Sequence, residues 1–296
     1  MAGNTLTLAI DAGGTYFKSG LVTSEGYILE GSRISFPVDS AGDGETIKRA
    51  YQTLVEVQLK KAEEAGASVT SIGVDTPGPF DYQAGESRML HKFKSIYGVP
   101  LRPWIAEAAG DLPIHFLHDS TAFLLGECWR GEGQGFDSLA GVMLGTGLGF
   151  AYKQKGIIQL NSQGGPGCSL YNRPFLTSTA EEYVSRRGIR NRYFARVPDA
   201  PPQIDVAQIA QLAQMGDLPA QETFEETGQM LGEILLPVLQ DIKPEALILG
   251  GQISKAYPLF GTALHRQLQQ LKLKKLSPSR CPDTAHLLGC AAKQPT

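Results

Sequence analysis

The chain carries one local pattern twice: an apolar strand, a short glycine turn and a second apolar strand. The first copy reads Leu8-Ala9-Ile10-Asp11-Ala12-Gly13-Gly14-Thr15-Tyr16-Phe17-Lys18-Ser19-Gly20-Leu21-Val22. The second begins at Ser138 and passes through Leu144-Gly145-Thr146-Gly147-Leu148-Gly149 to Lys153. Such a repeat restricts the chain to a duplicated architecture, with two similar lobes that each open on a hairpin. In the first turn, adjacent glycines permit positive φ and bring backbone N–H groups close to an anion. Thr15 and Lys18 add a hydroxyl and a cation, and Asp11 at the strand end could hold Mg²⁺ through water. An ordinary tight hairpin with a turn aspartate uses the same residues, so this stretch alone leaves both readings open.

The remaining pattern makes the lobes α/β. A third strand is predicted over 27–34, then a polar loop over 39–44 and a helix over 45–65 closed by Gly66. Ile47, Ala50, Tyr51, Leu54, Val57 and Ala62 fall on one face of that helix. A strand over 71–75 is broken by Thr76-Pro77-Gly78-Pro79, so strand, helix and strand form a parallel crossover added to the hairpin. Residues 84–103 read as an active loop or rim, followed by a helix over 105–109, a strand over 114–117 and a helix over 120–130 with Ser120 or Asp119 near its cap. In the second half, helices are predicted over 180–187, 205–215 and 220–241, the last kinked by Pro237. A strand over 246–249 ends in Gly250-Gly251, and helices over 257–271 and 284–293 complete the chain.

Bulk properties remove several function classes. With 296 residues the chain can bury two cores, and 42% hydrophobic with 19% charged residues are globular values. A net charge of −3 gives no support to a nucleic-acid or anionic-membrane surface, so any anion binding must be local. No apolar run reaches the ~18 residues of a membrane span, and the N-terminus lacks a signal-peptide layout, so the expected compartment is the cytoplasm. Cys128, Cys168, Cys281 and Cys290 are too scattered for a disulfide framework or a CxxC metal site and are expected as free thiols.

Four strand-to-turn elements stand in order: Asp11-Ala12-Gly13-Gly14-Thr15, His118-Asp119-Ser120-Thr121-Ala122, Leu144-Gly145-Thr146-Gly147-Leu148-Gly149 and Leu247-Ile248-Leu249-Gly250-Gly251. Together with Val74-Asp75-Thr76-Pro77-Gly78-Pro79 and Gly98-Val99-Pro100-Leu101, this set resembles the sugar kinases of the actin, hexokinase and heat-shock ATPase superfold. More narrowly it resembles the ROK family of repressors, open reading frames and kinases, over nearly the whole chain. The resemblance implies a two-lobed actin-like ATPase (ribonuclease H-like) α/β fold, with duplicated mixed β-sheet domains and an inter-lobe active-site cleft. Residues 1–117 would form the N-terminal lobe, joined by a C-terminal helix over 284–296, and residues 118–283 the C-terminal lobe.

The resemblance also implies roles. Asp11, Gly13, Gly14 and Thr15, with Lys18 beside them, would meet the β- and γ-phosphates of ATP and Mg²⁺. Gly145, Thr146 and Gly147 would hold phosphate from the other lobe, and Gly250 and Gly251 would let adenosine lie flat against the backbone. Asp119 would be the general base for a sugar hydroxyl, which is a poor nucleophile until its proton is taken. Gly78, His118 and Glu181 would stand on the acceptor side, and the family suggests a homodimer.

Two departures concern the acceptor. The family's Glu-x-Gly-His string and zinc-binding cysteines have no counterpart in Gln163-Gly164-Gly165-Pro166-Gly167-Cys168, so no zinc is expected. Ala180-Glu181-Glu182-Tyr183-Val184-Ser185 does match the family's Leu-Glu-x-x-x-Ser string, although Glu181 and Glu182 also suit the solvated first turn of a helix. His118 replaces a usual asparagine, and with Lys92, Lys94 and Arg173 as candidate neighbours it raises an acceptor that carries an anionic or amide group. The leading expectation is an ATP-dependent sugar kinase acting on a hexose-like acceptor. The alternative is a weak or inactive sugar- or nucleotide-binding sensor, and a DNA-binding repressor is disfavoured by the acidic balance and the early first strand.

Overall fold

The computed structural model describes residues 5–90 and 92–292, which divide into two units. Among the described residues, unit 1 comprises 5–134, 160–167 and 284–292, and unit 2 comprises 135–159 and 168–283. The boundary expected at 117/118 therefore moves: the helix that follows 118 stays with unit 1, because its far face is covered by the returning C-terminal helix.

Unit 1 contains β1 (Thr5–Ala12), β2 (Tyr16–Thr23), β3 (Ile34–Pro37), α1 (Gly44–Glu64), β4 (Ser68–Thr76), the short pair β5 (Phe80–Asp81) and β6 (Glu86–Ser87), α2 (Arg102–Ala109), β7 (Ile114–His118) and α3 (Asp119–Arg130). Its main sheet has the order β3-β2-β1-β4-β7, with β1 antiparallel to β2 and parallel to β4. Leu8, Ala9 and Ile10 are all fully buried, which is why β1 reads as a continuous apolar run rather than an alternating one. Helix α1 starts at an Asp43 cap whose Oδ1 accepts from Thr46 N at 2.7 Å, and it lays Ile47, Tyr51 and Leu54 on the sheet. Tyr51 meets Phe17 with ring centroids 4.4 Å apart.

Unit 2 contains β8 (Leu139–Leu144), β9 (Leu148–Gln154), β10 (Ile157–Ile158), the hairpin β11 (Pro174–Phe175) and β12 (Ser178–Thr179), α4 (Ala180–Val184), α5 (Arg186–Arg196), α6 (Val206–Gln214), α7 (Leu218–Ile242), β13 (Ala246–Gly250), α8 (Tyr257–Leu268) and β14 (Lys275–Pro278). The sheet order β10-β9-β8-β13-β14 repeats that of unit 1: an antiparallel hairpin on one side, two parallel strands on the other. The duplication expected from the two glycine turns is thus present in the strand order itself.

The chain then returns to unit 1 as α9 (Ala285–Ala291), which packs on α3, β1, β2 and β4. The approach to α3 is set by glycine: a Cβ at Gly126 would overlap the Ala285 carbonyl, and one at Gly289 would overlap the Ala122 carbonyl. The predicted tail helix ends before 293, and its last expected residues lie outside the described ones. Among the described residues no helix is long and apolar enough to cross a membrane. None of the four cysteines forms a disulfide.

Several local expectations change. The third strand lies at Ile34–Pro37, not 27–34, because Gly31 takes φ +71° and Ser32 N closes a turn onto Leu29 O at 3.1 Å. Val57 is exposed and Val55 takes its place in the core. The single helix over 180–187 is two helices separated at Ser185, whose ψ of 175° is extended. Strand β14 and the α5 helix beyond 187 have no counterpart in the sequence reading, and α2 begins three residues earlier, with Pro103 in its first turn, where its fixed φ is tolerated.

Candidate functional site

In unit 1 three parallel strands deliver acidic residues to one edge of the sheet. Asp11 of β1 is in register with Asp75 of β4, and Thr76 is in register with His118 of β7, directly before Asp119. Carboxyl ends of parallel strands are where open α/β sheets bind ligands. Asp11 is partly exposed, and its Oδ2 lies 3.7 Å from Lys18 Nζ across the hairpin. The Gly13-Gly14 turn does not use positive φ, contrary to the expectation. Gly13 is required instead by close approach, since a Cβ there would meet Tyr16 O at 2.8 Å. Beside Gly14 stand Ser40 and Lys92, so Lys92 joins the first glycine turn. Thr15 is exposed, and its carbonyl accepts from Val38 N at 2.9 Å.

His118 and Asp119 form one hydrogen-bonded group. His118 Nδ1 lies 2.8 Å from Asp119 Oδ1 and 2.8 Å from Ser120 Oγ, and Ser120 N donates to Asp119 Oδ1 at 2.6 Å. His118 holds the α3 cap position rather than Asp119 or Ser120, with its Nδ1 3.1 Å from Ser120 N; because an Nδ1–H that donates to Asp119 Oδ1 cannot also accept, the Ser120 N–H is taken by Asp119 Oδ1. With Oδ1 engaged, Oδ2 is the Asp119 oxygen left to take a proton. Burial alone would raise the Asp119 pKa, but His118, His286 and the Ser120 N–H outweigh it and hold the carboxyl well below the usual range. Gly78 and Tyr82 flank the imidazole: the Tyr82 ring stands edge-on to it at 5.8 Å, and a Cβ at Gly78 would rest 3.5 Å from His118 Cδ2. Tyr82 N donates to Gln163 O at 2.9 Å, which ties the 160–167 segment to the same corner.

Behind this edge lies a group that the sequence reading did not assign. Asp75 is fully buried, 3.8 Å from His286 Nδ1, and accepts from the Cys290 thiol at 3.2 Å. Burial and the nearby Asp11 raise the Asp75 pKa, with His286 offsetting part of the effect. Burial opposes charge on His286, yet Asp75, Asp11 and Asp119 together raise it to about 9. Asp75 ends its strand as Asp11 does, which was the available signal. The histidine comes from α9, and no local pattern links it to β4.

Unit 2 builds the second turn. Gly145 N donates to Gly147 O at 3.1 Å, and Leu148 N donates to Glu181 Oε2 at 2.9 Å. A Cβ at Gly147 would lie 2.6 Å from that same carboxylate oxygen, so Gly147 is glycine partly to admit Glu181. Glu181, expected beside the acceptor, is hydrogen-bonded to the second glycine turn of its own unit. Arg173, another expected acceptor neighbour, bonds Cys168 Sγ at 3.1 Å and Ser169 O at 3.3 Å, and Lys94 lies in a short 3-10 turn of unit 1. Gly250 ends β13 opposite Met143, and Gly251, at φ +77°, is forced by its own chain, since a Cβ would overlap Leu144 O. This constraint acts whether or not adenosine lies there, as the resemblance implies.

Beside the second turn lies a cavity of about 580 Å³, lined by Gly145, Thr146, Arg186, Ala210, Gln211 and Ile253 among others. Among the described residues no group of three or more His, Cys, Asp or Glu side chains is arranged to hold a metal ion. A phosphate-bound Mg²⁺ needs only one or two carboxylates with water and phosphate oxygens, and the partly exposed Asp11 carboxylate suits that mode.

The ROK family model matches residues 7–168 and 177–292. A glucokinase of Thermotoga maritima is 27% identical over 292 residues, covering 92% of this chain and 88% of the relative. A xylose repressor of Caldicellulosiruptor bescii is 26% identical, covering 84% of this chain and 68% of the relative. A solved ROK family glucokinase from Streptomyces griseus, in complex with glucose and AMPPNP, matches the fold with a TM-score of 0.78 at 21% identity, over 97% of this chain and 98% of that one. The fold is therefore the two-lobed, actin-like α/β fold with duplicated mixed sheets, and the chain belongs to the ROK family.

Proposed function

We propose that this protein is an ATP-dependent sugar kinase that transfers the γ-phosphoryl group to a hydroxyl of a hexose or hexose-like acceptor. The observation that carries the reading is the Asp119 carboxylate, fixed through Oδ1 by His118 and Ser120 and held ionised, with Oδ2 left to take the hydroxyl proton. Unit 1 would bind the acceptor near Gly78, Tyr82 and His118. The turn at Gly13 and Gly14, with Lys18 and Lys92, would face the transferring phosphoryl group. Unit 2 would hold the nucleotide, with the phosphates at Gly145–Gly147 and adenosine in the adjoining cavity near Gly250 and Gly251. Asp11 would hold Mg²⁺ through water; the ion supplies charge neutralisation along the phosphates when bound.

The glucokinase and β-glucoside kinase names among the relatives support the sugar-kinase class. One observation favours the second reading, a sugar or nucleotide sensor with little turnover: Glu181 is engaged by the unit 2 turn, and the xylose repressor shows that the family name does not guarantee a kinase. Coupled ADP release across neutral, amino and acidic sugars, beside sugar binding by calorimetry, separates the two. A kinase releases ADP only with its acceptor. Sugar binding with no ADP release contradicts the kinase reading and favours the sensor.

A further inference from the structure

His118 stands where the resemblance expects an asparagine, and the exchange changes what the site can bond. An amide donates through its nitrogen and accepts through its oxygen. The imidazole has two ring nitrogens, and one is committed: Nδ1 lies 2.8 Å from Asp119 Oδ1. An Nδ1–H held by a carboxylate fixes the tautomer, so the neutral ring carries its free lone pair on Nε2. That nitrogen makes no hydrogen bond to any described residue, and the side chain is 19% exposed.

The surroundings hold the ring and leave Nε2 clear. Gly78 faces its Cδ2–Nε2 edge, where a Cβ would rest 3.5 Å from Cδ2 and 3.6 Å from Nε2. Tyr82 stands edge-on to the ring at 5.8 Å, but its hydroxyl donates to Thr76 O at 3.1 Å and is not the donor that Nε2 lacks. On the neighbouring residue, Asp119 Oδ2 is also free. Burial opposes charge on that carboxyl, yet His118, His286 and the Ser120 N–H keep it ionised. Two adjoining side chains thus each present an atom that accepts a hydrogen bond and cannot donate one.

The cations that sequence suggests for an anionic acceptor are placed otherwise. Lys92 lies beside Gly14 in the first glycine turn, Lys94 is in a 3-10 turn, and Arg173 bonds Cys168 Sγ and Ser169 O in unit 2. Among the described residues none of the three bonds His118 or Asp119. A carboxylate or phosphate on the acceptor would there meet an ionised carboxylate and a nitrogen lone pair with no cation to offset them, which is a device for exclusion.

We propose that His118 is the specificity-determining residue of the acceptor site. Its Nε2 demands a hydrogen-bond donor, a hydroxyl or an amide N–H, beside the reacting hydroxyl. The acceptor class is therefore neutral hydroxylated or N-acylamino sugars, and uronic acids and sugar phosphates are excluded. This rests on the sugar-kinase reading given under Proposed function.

The test is sugar-dependent ADP release at about pH 8.5, where imidazole is ordinarily neutral, by the wild type, His118→Ala and His118→Asn. The acceptors are glucose, mannose, N-acetylglucosamine, N-acetylmannosamine and glucuronate, with the monodeoxy derivatives of whichever neutral sugar turns over best. Glucuronate should stay at background. One deoxy derivative should lose roughly ten- to a hundredfold in kcat/KM in the wild type, because it leaves Nε2 unpaired. In His118→Ala the ratio of parent to that derivative should fall to within about threefold, while the ratios at other positions hold. A ratio taken within one protein cancels the turnover a variant loses through Asp119, so a purely structural role would not move it. His118→Asn, whose amide can accept or donate, should fall between the two. A ratio unchanged in both variants, or glucuronate turned over as well as the neutral sugars, overturns the assignment while leaving the protein a sugar kinase. Turnover of none of these sugars contradicts the kinase reading and this assignment with it.

Discussion

His286 is a buried histidine held among carboxylates, and its consequences are those of a single side chain. Asp75 at 3.8 Å, with Asp11 and Asp119 nearby, favours its charged form against the cost of burial and raises its pKa from 6.5 to about 9. The folded state therefore holds that proton more tightly than the unfolded one. The stabilisation is complete below pH 6.5 and is lost as pH rises through about 9. The raised pKa of Asp75 acts with the same sign, starting from lower pH. His115, lowered mainly by burial, acts oppositely but below 6.5, while the Cys290 thiol, pushed up by burial, adds to the fall at the alkaline end. Unfolding free energies from urea titrations between pH 6.5 and 9 should fall in the wild type by an amount on the order of a few kcal/mol and be much flatter in the double variant Asp75→Asn, His286→Gln, which also removes the carboxyl that His286 holds down. The same slope in both proteins would show that His286 is not the source.

At the scale of the element, α9 is the piece that completes unit 1. Its contact with α3 depends on Gly126 and Gly289, each facing a carbonyl of the other helix. Gly289→Val is expected to force the helices apart and destabilise the fold by roughly 2–4 kcal/mol, read from urea midpoints. An unchanged midpoint would mean that the helices separate at little cost. Glu181 on α4 tests the second turn. Because its Oε2 accepts from Leu148 N, Glu181→Ala should raise the KM for ATP more than the KM for sugar. The opposite split would return Glu181 to the acceptor. The hairpins, α1 and α3 were legible because their apolar periods and caps are local. The third strand, the break at Ser185 and β14 were not, since they depend on Gly31 at φ +71°, on the extended backbone of Ser185 and on pairing with β13.

On the scale of the whole molecule, the repeated strand order is the duplication that the two glycine turns announced in sequence. The geometry of the candidate site was legible where it is local to one strand end and its turn, as at Asp11 and at Gly145 to Gly147. It was not legible where residues distant in the chain meet, as Asp75 meets His286 and Cys290, or where Lys92 comes to rest beside Gly14. Nor did sequence reveal that Gly251 also faces the Leu144 carbonyl, which leaves no room for a Cβ. If unit 2 binds nucleotide in the folded state only, ADP at one hundred times its Kd adds about 2.7 kcal/mol and raises Tm by several degrees. A Tm unmoved by ADP would contradict nucleotide binding.

The most direct test of the kinase reading is sugar-dependent ADP release by the wild type beside Asp119→Asn, with ADP affinity measured on both proteins. An amide keeps the shape of the carboxylate and can still accept from Ser120 N, but it cannot take the hydroxyl proton. A positioned base contributes roughly 10²–10⁴-fold, so turnover should fall by at least that order while ADP affinity is unchanged. Equal turnover by the two proteins would contradict Asp119 as the base and, with it, the proposed mechanism.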